Sequence, residues 1–171
     1  MKVILLTGRP GVGKTTAIRT IVAQLGLPAG GFYSEEIVEA GQRVGFRIVT
    51  LDGRSGVLAR FKLPGAKICI GRYGVTLEAL ETIGVDSIRQ GIAVGLVVID
   101  EIGPMEIKSD AFCAAVAAAL ASPARILGTI VKRSTPFTDA IKARADVEVI
   151  EITPQNRDAV TQSLCQRFKS A

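Results

Sequence analysis

Residues 8–15, Gly8-Arg9-Pro10-Gly11-Val12-Gly13-Lys14-Thr15, follow the pattern G-x-x-x-x-G-K-[ST] in full, and Thr16 extends it. The chemistry of this pattern is phosphate binding. Glycines let successive backbone N–H groups turn inward around an anion where a Cβ would clash. A helix beginning near Lys14 adds the positive end of its dipole. Lys14 can reach the β- and γ-phosphates of a nucleotide. The Thr15 hydroxyl can ligate Mg²⁺, and Thr16 can bond the α-phosphate. The motif carries this meaning only between a buried strand and a helix. The apolar run Val3 to Leu6 supplies the strand, and Ile18, Ile21, Val22 and Leu25 recur at helical spacing from Thr16 until Gly26 and Pro28.

A second chemical feature is Leu96-Val97-Val98-Ile99-Asp100-Glu101. An acidic residue at the carboxyl end of a buried strand faces the ligand crevice of an open α/β sheet. Asp100 is read as the Mg²⁺-side carboxylate, since magnesium keeps several waters and takes only one or two carboxylates. Glu101 can orient and deprotonate an attacking water, or it is a solvated charge at the strand end. Asp100-Glu101-Ile102-Gly103 also fits the D-x-x-G of GTPases, but no Asn-Lys-x-Asp guanine-reading segment occurs in the chain.

The elements that must hold these residues alternate. Segment 30–60 holds GGFYSEEIVE, RVGFRIVTL and SGVLARF, which are β-branched and aromatic stretches broken at Gly41 and at Asp52-Gly53. An Asp-Gly between such runs signals a hairpin, so an antiparallel insertion is expected here, or an antiparallel part of the main sheet. AKICIG, residues 66–71, reads as a short strand. Residues 76–90 read as a helix with Thr76 as its N-cap. Further strands are expected at 95–100, 125–131 and 147–152, and further helices at 110–120 and 137–144. Thr153-Pro154 starts a last helix that runs to about Phe168. Strands alternating with helices mean α/β layering around a mostly parallel sheet.

Composition narrows the chemistry. The 171 residues are 48% hydrophobic and 22% charged, without a linker or repeat, which predicts one domain spanning 1–171 with a core of its own. Histidine is absent. That removes Ser-His-Asp and Cys-His catalysis and His-ligated metals, and leaves acid–base work to Asp, Glu, Lys, Tyr or Cys. Cys69, Cys113 and Cys165 lie far apart, which excludes CxxC chemistry and suits reduced thiols in a cytoplasmic protein. The run Ala111 to Ala121 is too short to span a bilayer and reads as a buried helix. The net charge of +5 suits a polyanion such as a nucleotide; nucleic acid is permitted but only weakly supported.

With these residues assembled, the chain resembles the small P-loop family of cancer-related nucleoside-triphosphatases. The likeness extends over nearly the whole chain and rests on GRPGVGKTT (8–16), GFYSEEIVEAGQRVGF (31–46), GRYGV (71–75) and VIDEIGPMEIKSDAF (98–112). It implies Mg²⁺-dependent hydrolysis of nucleoside triphosphates to diphosphate and phosphate with broad base selectivity. It also implies a three-layer α/β/α P-loop sandwich of RecA-like topology. That topology sets strand 125–131 between the P-loop strand and the Asp100 strand, where Thr129 or Lys132 could face the γ-phosphate. Pro104 stands where the family often has Lys, so no cationic role transfers to it. Thr76 stands where Asn or Asp is frequent.

Charge also develops on a transferring phosphoryl group, and an arginine supplied to it accelerates hydrolysis by roughly 10³–10⁵-fold. Arg72 is the preferred candidate, with Arg43 and Arg47 as second choices; Arg9 lies over the nucleotide or faces water. Phe32, Tyr33 and Phe46 alternate as core residues do, although such rings can stack on a base. Glu106 is read as a second acidic contact near the metal or as a surface carboxylate. The expected catalytic set is therefore Lys14, Glu101 and Arg72, with Thr15 and Asp100 toward the metal. The competing readings are a nucleoside or nucleotide kinase, which needs an acceptor pocket and an arginine-rich lid, and a nucleotide-switched module that binds nucleic acid or protein.

Overall fold

The computed structural model describes residues 2–169. Its centre is one nine-stranded sheet in the order β5-β6-β4-β3-β2-β7-β8-β1-β9. The strands are β1 (Val3–Thr7), β2 (Gly30–Glu39), β3 (Gln42–Thr50), β4 (Ser55–Phe61), β5 (Ile68–Ile70), β6 (Tyr73–Val75), β7 (Leu96–Ile102), β8 (Arg125–Ile130) and β9 (Val147–Glu151). The helices are α1 (Lys14–Leu25), α2 (Val85–Val94), α3 (Asp110–Ala121), α4 (Pro136–Lys142) and α5 (Arg157–Lys169). From the start of β2 to β9 all neighbours run parallel; β3, β4, β6 and β5 continue the same sheet as an antiparallel wing.

The expected layering follows from side-chain alternation. Every residue of β1 is buried. Val3 and Leu5 face a core shared with Phe32, Ile88, Phe112 and Val116. Ile4 and Leu6 face a core shared with Ile18, Ile21, Leu164 and Phe168. A strand covered on both faces reads as a continuous apolar run because neither face meets water. Helices thus cover both faces, and β8 lies between β1 and β7 as the RecA-like order requires.

The antiparallel segment is a wing of the main sheet. β2 does double duty: Gly30 to Phe32 pair in parallel with Val97 to Ile99, while Phe32 to Glu39 pair antiparallel with β3. The start of the helix expected at 76–90 moves. Helical backbone begins at Glu78, and the Glu81 N–H bonds the Leu77 carbonyl, so Leu77 occupies the cap position in place of Thr76. The Thr76 N–H is instead taken by the Leu58 carbonyl of β4, which ties the entry of this helix to the sheet. The helix then passes through a π-turn at Leu80–Gly84 before α2. Thr153 does cap the last helix: its hydroxyl accepts from the Asn156 N–H, the Asn156 amide oxygen accepts from the Thr153 N–H, and regular α-helix follows from Arg157. Among the described residues no helix is long and apolar enough to cross a membrane.

Candidate active site

The motif at residues 8–16 joins β1 to α1 at the carboxyl edge of the parallel strands. Gly13, at φ 98°, ends the loop, and no side chain caps the helix there. The first N–H groups of a helix lack intrahelical partners, so this end of α1 is equipped to hold an anion. Gly13 is required for its backbone conformation, which is left-handed. The Arg157 side chain packs on it, so a Cβ would come within 2.9 Å of Arg157 Cδ. Lys14 folds back, with Nζ donating to the Gly8 carbonyl at 3.0 Å and to the Arg9 carbonyl at 3.1 Å. An anion that accepts from Lys14 exchanges two neutral acceptors for a charged one, which makes a stronger bond.

The acidic end of β7 faces this loop. Asp100 is only 2% exposed. The Thr15 hydroxyl donates to its Oδ2 at 2.6 Å and the Thr129 hydroxyl to its Oδ1 at 2.7 Å. Its backbone carbonyl accepts from Ser34 Oγ at 2.7 Å. Burial pushes the Asp100 carboxyl up, and the two hydroxyls and the nearby Lys14 charge oppose that. The Asp100–Glu101 peptide is cis, and the pairing with β8 shifts register between Ile99 and Ile102.

Glu101 is half-buried, and burial, followed by the Asp100 charge, raises its carboxyl against the pull of Lys14. Beyond it the chain makes a turn at Gly103. A Cβ on Gly103 would lie 2.7 Å from Glu101 Oε1 and 3.0 Å from Glu106 Oε2, so both carboxyl groups crowd this α-carbon. Glu106 is buried. Desolvation first, then the Glu101 and Asp100 charges, push its carboxyl up to about 8, so it is protonated at neutral pH.

These groups line one cleft of about 470 Å³. Of the residues singled out in the sequence, Pro10, Gly11, Gly13, Lys14, Thr15, Thr16, Asp100 and Glu101 line it. Gly8 and Arg9 border it through the carbonyls that hold Lys14, while Val12 packs into the core beside α1. Arg72 is exposed at the wing and is not among the lining residues; Arg43 is. Phe46 lines the cleft, Phe32 is fully buried, and Tyr33 carries the Arg19 guanidinium at 4.7 Å from its ring centre. Arg47 is tied to Glu35. Lys132 pairs with Glu151. Ser34, Tyr73 and Arg157 were given no site role from the sequence, because their contacts with Asp100, Arg43 and Gly13 are long-range; Gly103, part of the D-x-x-G pattern, crowds Glu101 and Glu106 locally.

The donor set suits a hard divalent cation. Asp100 and Thr15 present oxygen ligands side by side, and the buried carboxylate is held by hydroxyl donors. Among the described residues no group of three or more His, Cys, Asp or Glu could hold a metal. Such a site takes its remaining ligands from water and phosphate, as magnesium sites commonly do.

Comparison with known proteins fits this geometry. The sequence model of the NTPase family matches residues 3–165. The nucleoside-triphosphatase THEP1 of Thermotoga petrophila is 46% identical over 167 residues, covering 97% of this chain and 92% of that protein. The crystal structure of THEP1 from the hyperthermophile Aquifex aeolicus superposes with a TM-score of 0.86 at 32% identity, covering 95% of this chain and 96% of the other. The solution structure of a human cancer-related nucleoside triphosphatase gives a TM-score of 0.86 at 36% identity, covering 100% and 99% of the two chains. The strand order, the phosphate loop and the acidic strand end thus occur together in a chain that belongs to the NTPase family.

Proposed function

We propose that this chain, acting as one domain, hydrolyses nucleoside triphosphates with Mg²⁺ to nucleoside diphosphate and phosphate. The observation that carries the reading is the 2.6 Å bond from Thr15 to Asp100, which joins the phosphate loop to the acidic strand end with Glu101 beside it. Loop N–H groups and Lys14 hold the β- and γ-phosphates. Thr15 and Asp100 would hold the cation, which when bound neutralises phosphate charge. Glu101 accepts a proton from the attacking water; the water oxygen bonds to the γ-phosphorus as the bridge to the β-phosphate breaks. The diphosphate leaves with the bridging oxygen, and one proton is released overall. Its raised proton affinity makes Glu101 a stronger base than a solvated carboxylate.

Broad base acceptance belongs to the same proposal, because the contacts assigned here are to the triphosphate, which all four nucleotides share. The three free thiols suit a reducing cytoplasm.

The test is phosphate release from ATP, GTP, CTP and UTP, with Mg²⁺ and without any acceptor. Release from several nucleotides, abolished by a chelator and strongly reduced in Lys14→Ala, is expected. Binding without release, with transfer once a nucleoside or nucleotide acceptor is added, would replace the reading with a kinase.

A further inference from the structure

The cleft carries one guanidinium. Among the described arginines only Arg43 lines it. Arg43 sits on β3 opposite Val38 of β2, near the turn of that hairpin. Its Nε donates to the Tyr73 hydroxyl at 3.1 Å, and its Nη1 donates to Glu36 Oε1 at 2.7 Å. The guanidinium carbon lies 5.1 Å from the Phe46 ring centre and 5.9 Å from that of Tyr73, and the two rings meet edge to face at 5.2 Å. The aromatic shelf and the Nε bond fix the plane of the group. The partner at Nη1 faces water: the Glu36 and Arg43 side chains are 55% and 41% exposed, and exposed pairs of this kind contribute about 0–1 kcal/mol.

Tyr73 is itself held. Arg72 Nη2 donates to the same phenol oxygen at 3.1 Å and to the Arg43 carbonyl at 3.3 Å. The Arg72 guanidinium stacks 5.5 Å from Phe61 and 5.3 Å from Tyr73. The phenol hydroxyl thus accepts from both arginines and tethers one to the other, although only Arg43 faces the cleft.

We propose that Arg43 is the guanidinium that meets the γ-phosphoryl group, exchanging its Glu36 partner for phosphate oxygens, and that Tyr73 and Arg72 are positioning residues that aim it. The inference rests on the hydrolase reading of the cleft. It places the charge stabiliser in the same chain and makes the antiparallel wing part of the catalytic unit. A pair with exposed Glu36 is readily given up for the two-pronged, charge-assisted bonds that arginine makes to phosphate.

The experiment is single-turnover phosphate release with Mg²⁺–ATP by the wild type, Arg43→Ala, Arg43→Lys, Tyr73→Phe and Arg72→Ala. Binding of ADP is measured on the same samples. Arg43→Ala is expected to lose turnover on the order of 10³-fold while ADP binding holds. Millimolar guanidine should restore part of the activity of Arg43→Ala, and Arg43→Lys should remain impaired because an ammonium lacks the planar fork. Tyr73→Phe and Arg72→Ala should lower kcat with little change in KM, and guanidine should not rescue either. Wild-type turnover retained in Arg43→Ala would overturn the proposal. So would loss of ADP binding in both Arg43 variants, which would make Arg43 a wall of the pocket. Failure of the wild type itself to release phosphate would instead count against the hydrolase reading.

Discussion

Thr129 and Thr15 grip opposite oxygens of one buried carboxylate: Thr129 donates to Asp100 Oδ1 at 2.7 Å and Thr15 to Oδ2 at 2.6 Å. Thr129 comes from the strand between β1 and β7, so the order of the sheet fixes this arrangement. The sequence offered Thr129 or Lys132 as a residue facing the γ-phosphate, or Thr129 as a plain β-branched strand residue; the Thr129 hydroxyl holds the acidic residue. Leaving a buried acceptor unpaired costs about 1–3 kcal/mol. Thr129→Val should therefore lower stability by that amount and raise the Mg²⁺ concentration needed for half-maximal hydrolysis. Thr129→Ser, which keeps the hydroxyl, should show little of either effect. Urea denaturation and a Mg²⁺ titration check both.

Glu106 gives the metal-free protein a pH-dependent stability. Its carboxyl is raised from 4.5 to about 8 in the fold. The neutral form is the one the fold accepts, so the unfolded chain releases its proton first as pH rises. The contribution of Glu106 to stability is greatest below the unfolded value of 4.5 and declines until the folded value near 8 is passed. Each tenfold difference in proton affinity is worth about 1.4 kcal/mol, so the decline amounts to several kcal/mol. Glu106→Gln, neutral at every pH, should remove this part of the slope. Denaturation midpoints across that range should diverge in favour of the variant as pH rises.

Gly103 sets the position of Glu101. An added Cβ would fall 2.7 Å from Glu101 Oε1, closer than such atoms approach, while Glu106 Oε2 blocks retreat at 3.0 Å. The obstacles are the ends of flexible side chains, so Gly103→Ala should fold. It should displace the carboxylate, and a displacement near 1 Å costs about 10²-fold in rate. Nucleotide affinity should hold while kcat falls.

Local features were the legible ones. The phosphate motif needs only its own spacing and its neighbours, and it lies between a buried strand and a helix as the pattern requires. Asp52-Gly53 marked the β3–β4 turn correctly, since the turn is a local signal. Tyr73–Val75 is a strand too short for alternation to show, and it exists because β4 and β5 flank it. The choice between Arg72 and Arg43 depended on strand order. β6 lies beyond β4 and β3 from β2, so Arg72 starts far from β7 while Arg43 sits on the strand beside β2. Ser34 and Thr129 reach Asp100 across 66 and 29 residues of sequence, distances at which periodicity carries no information.

The central claim is that Glu101 activates water. Single-turnover phosphate release by Glu101→Gln, with Mg²⁺–NTP binding measured on the same protein, tests it most directly. The account predicts binding like that of the wild type and release slowed by about 10²–10⁴-fold, the range general-base catalysis supplies. Release at the wild-type rate would contradict it.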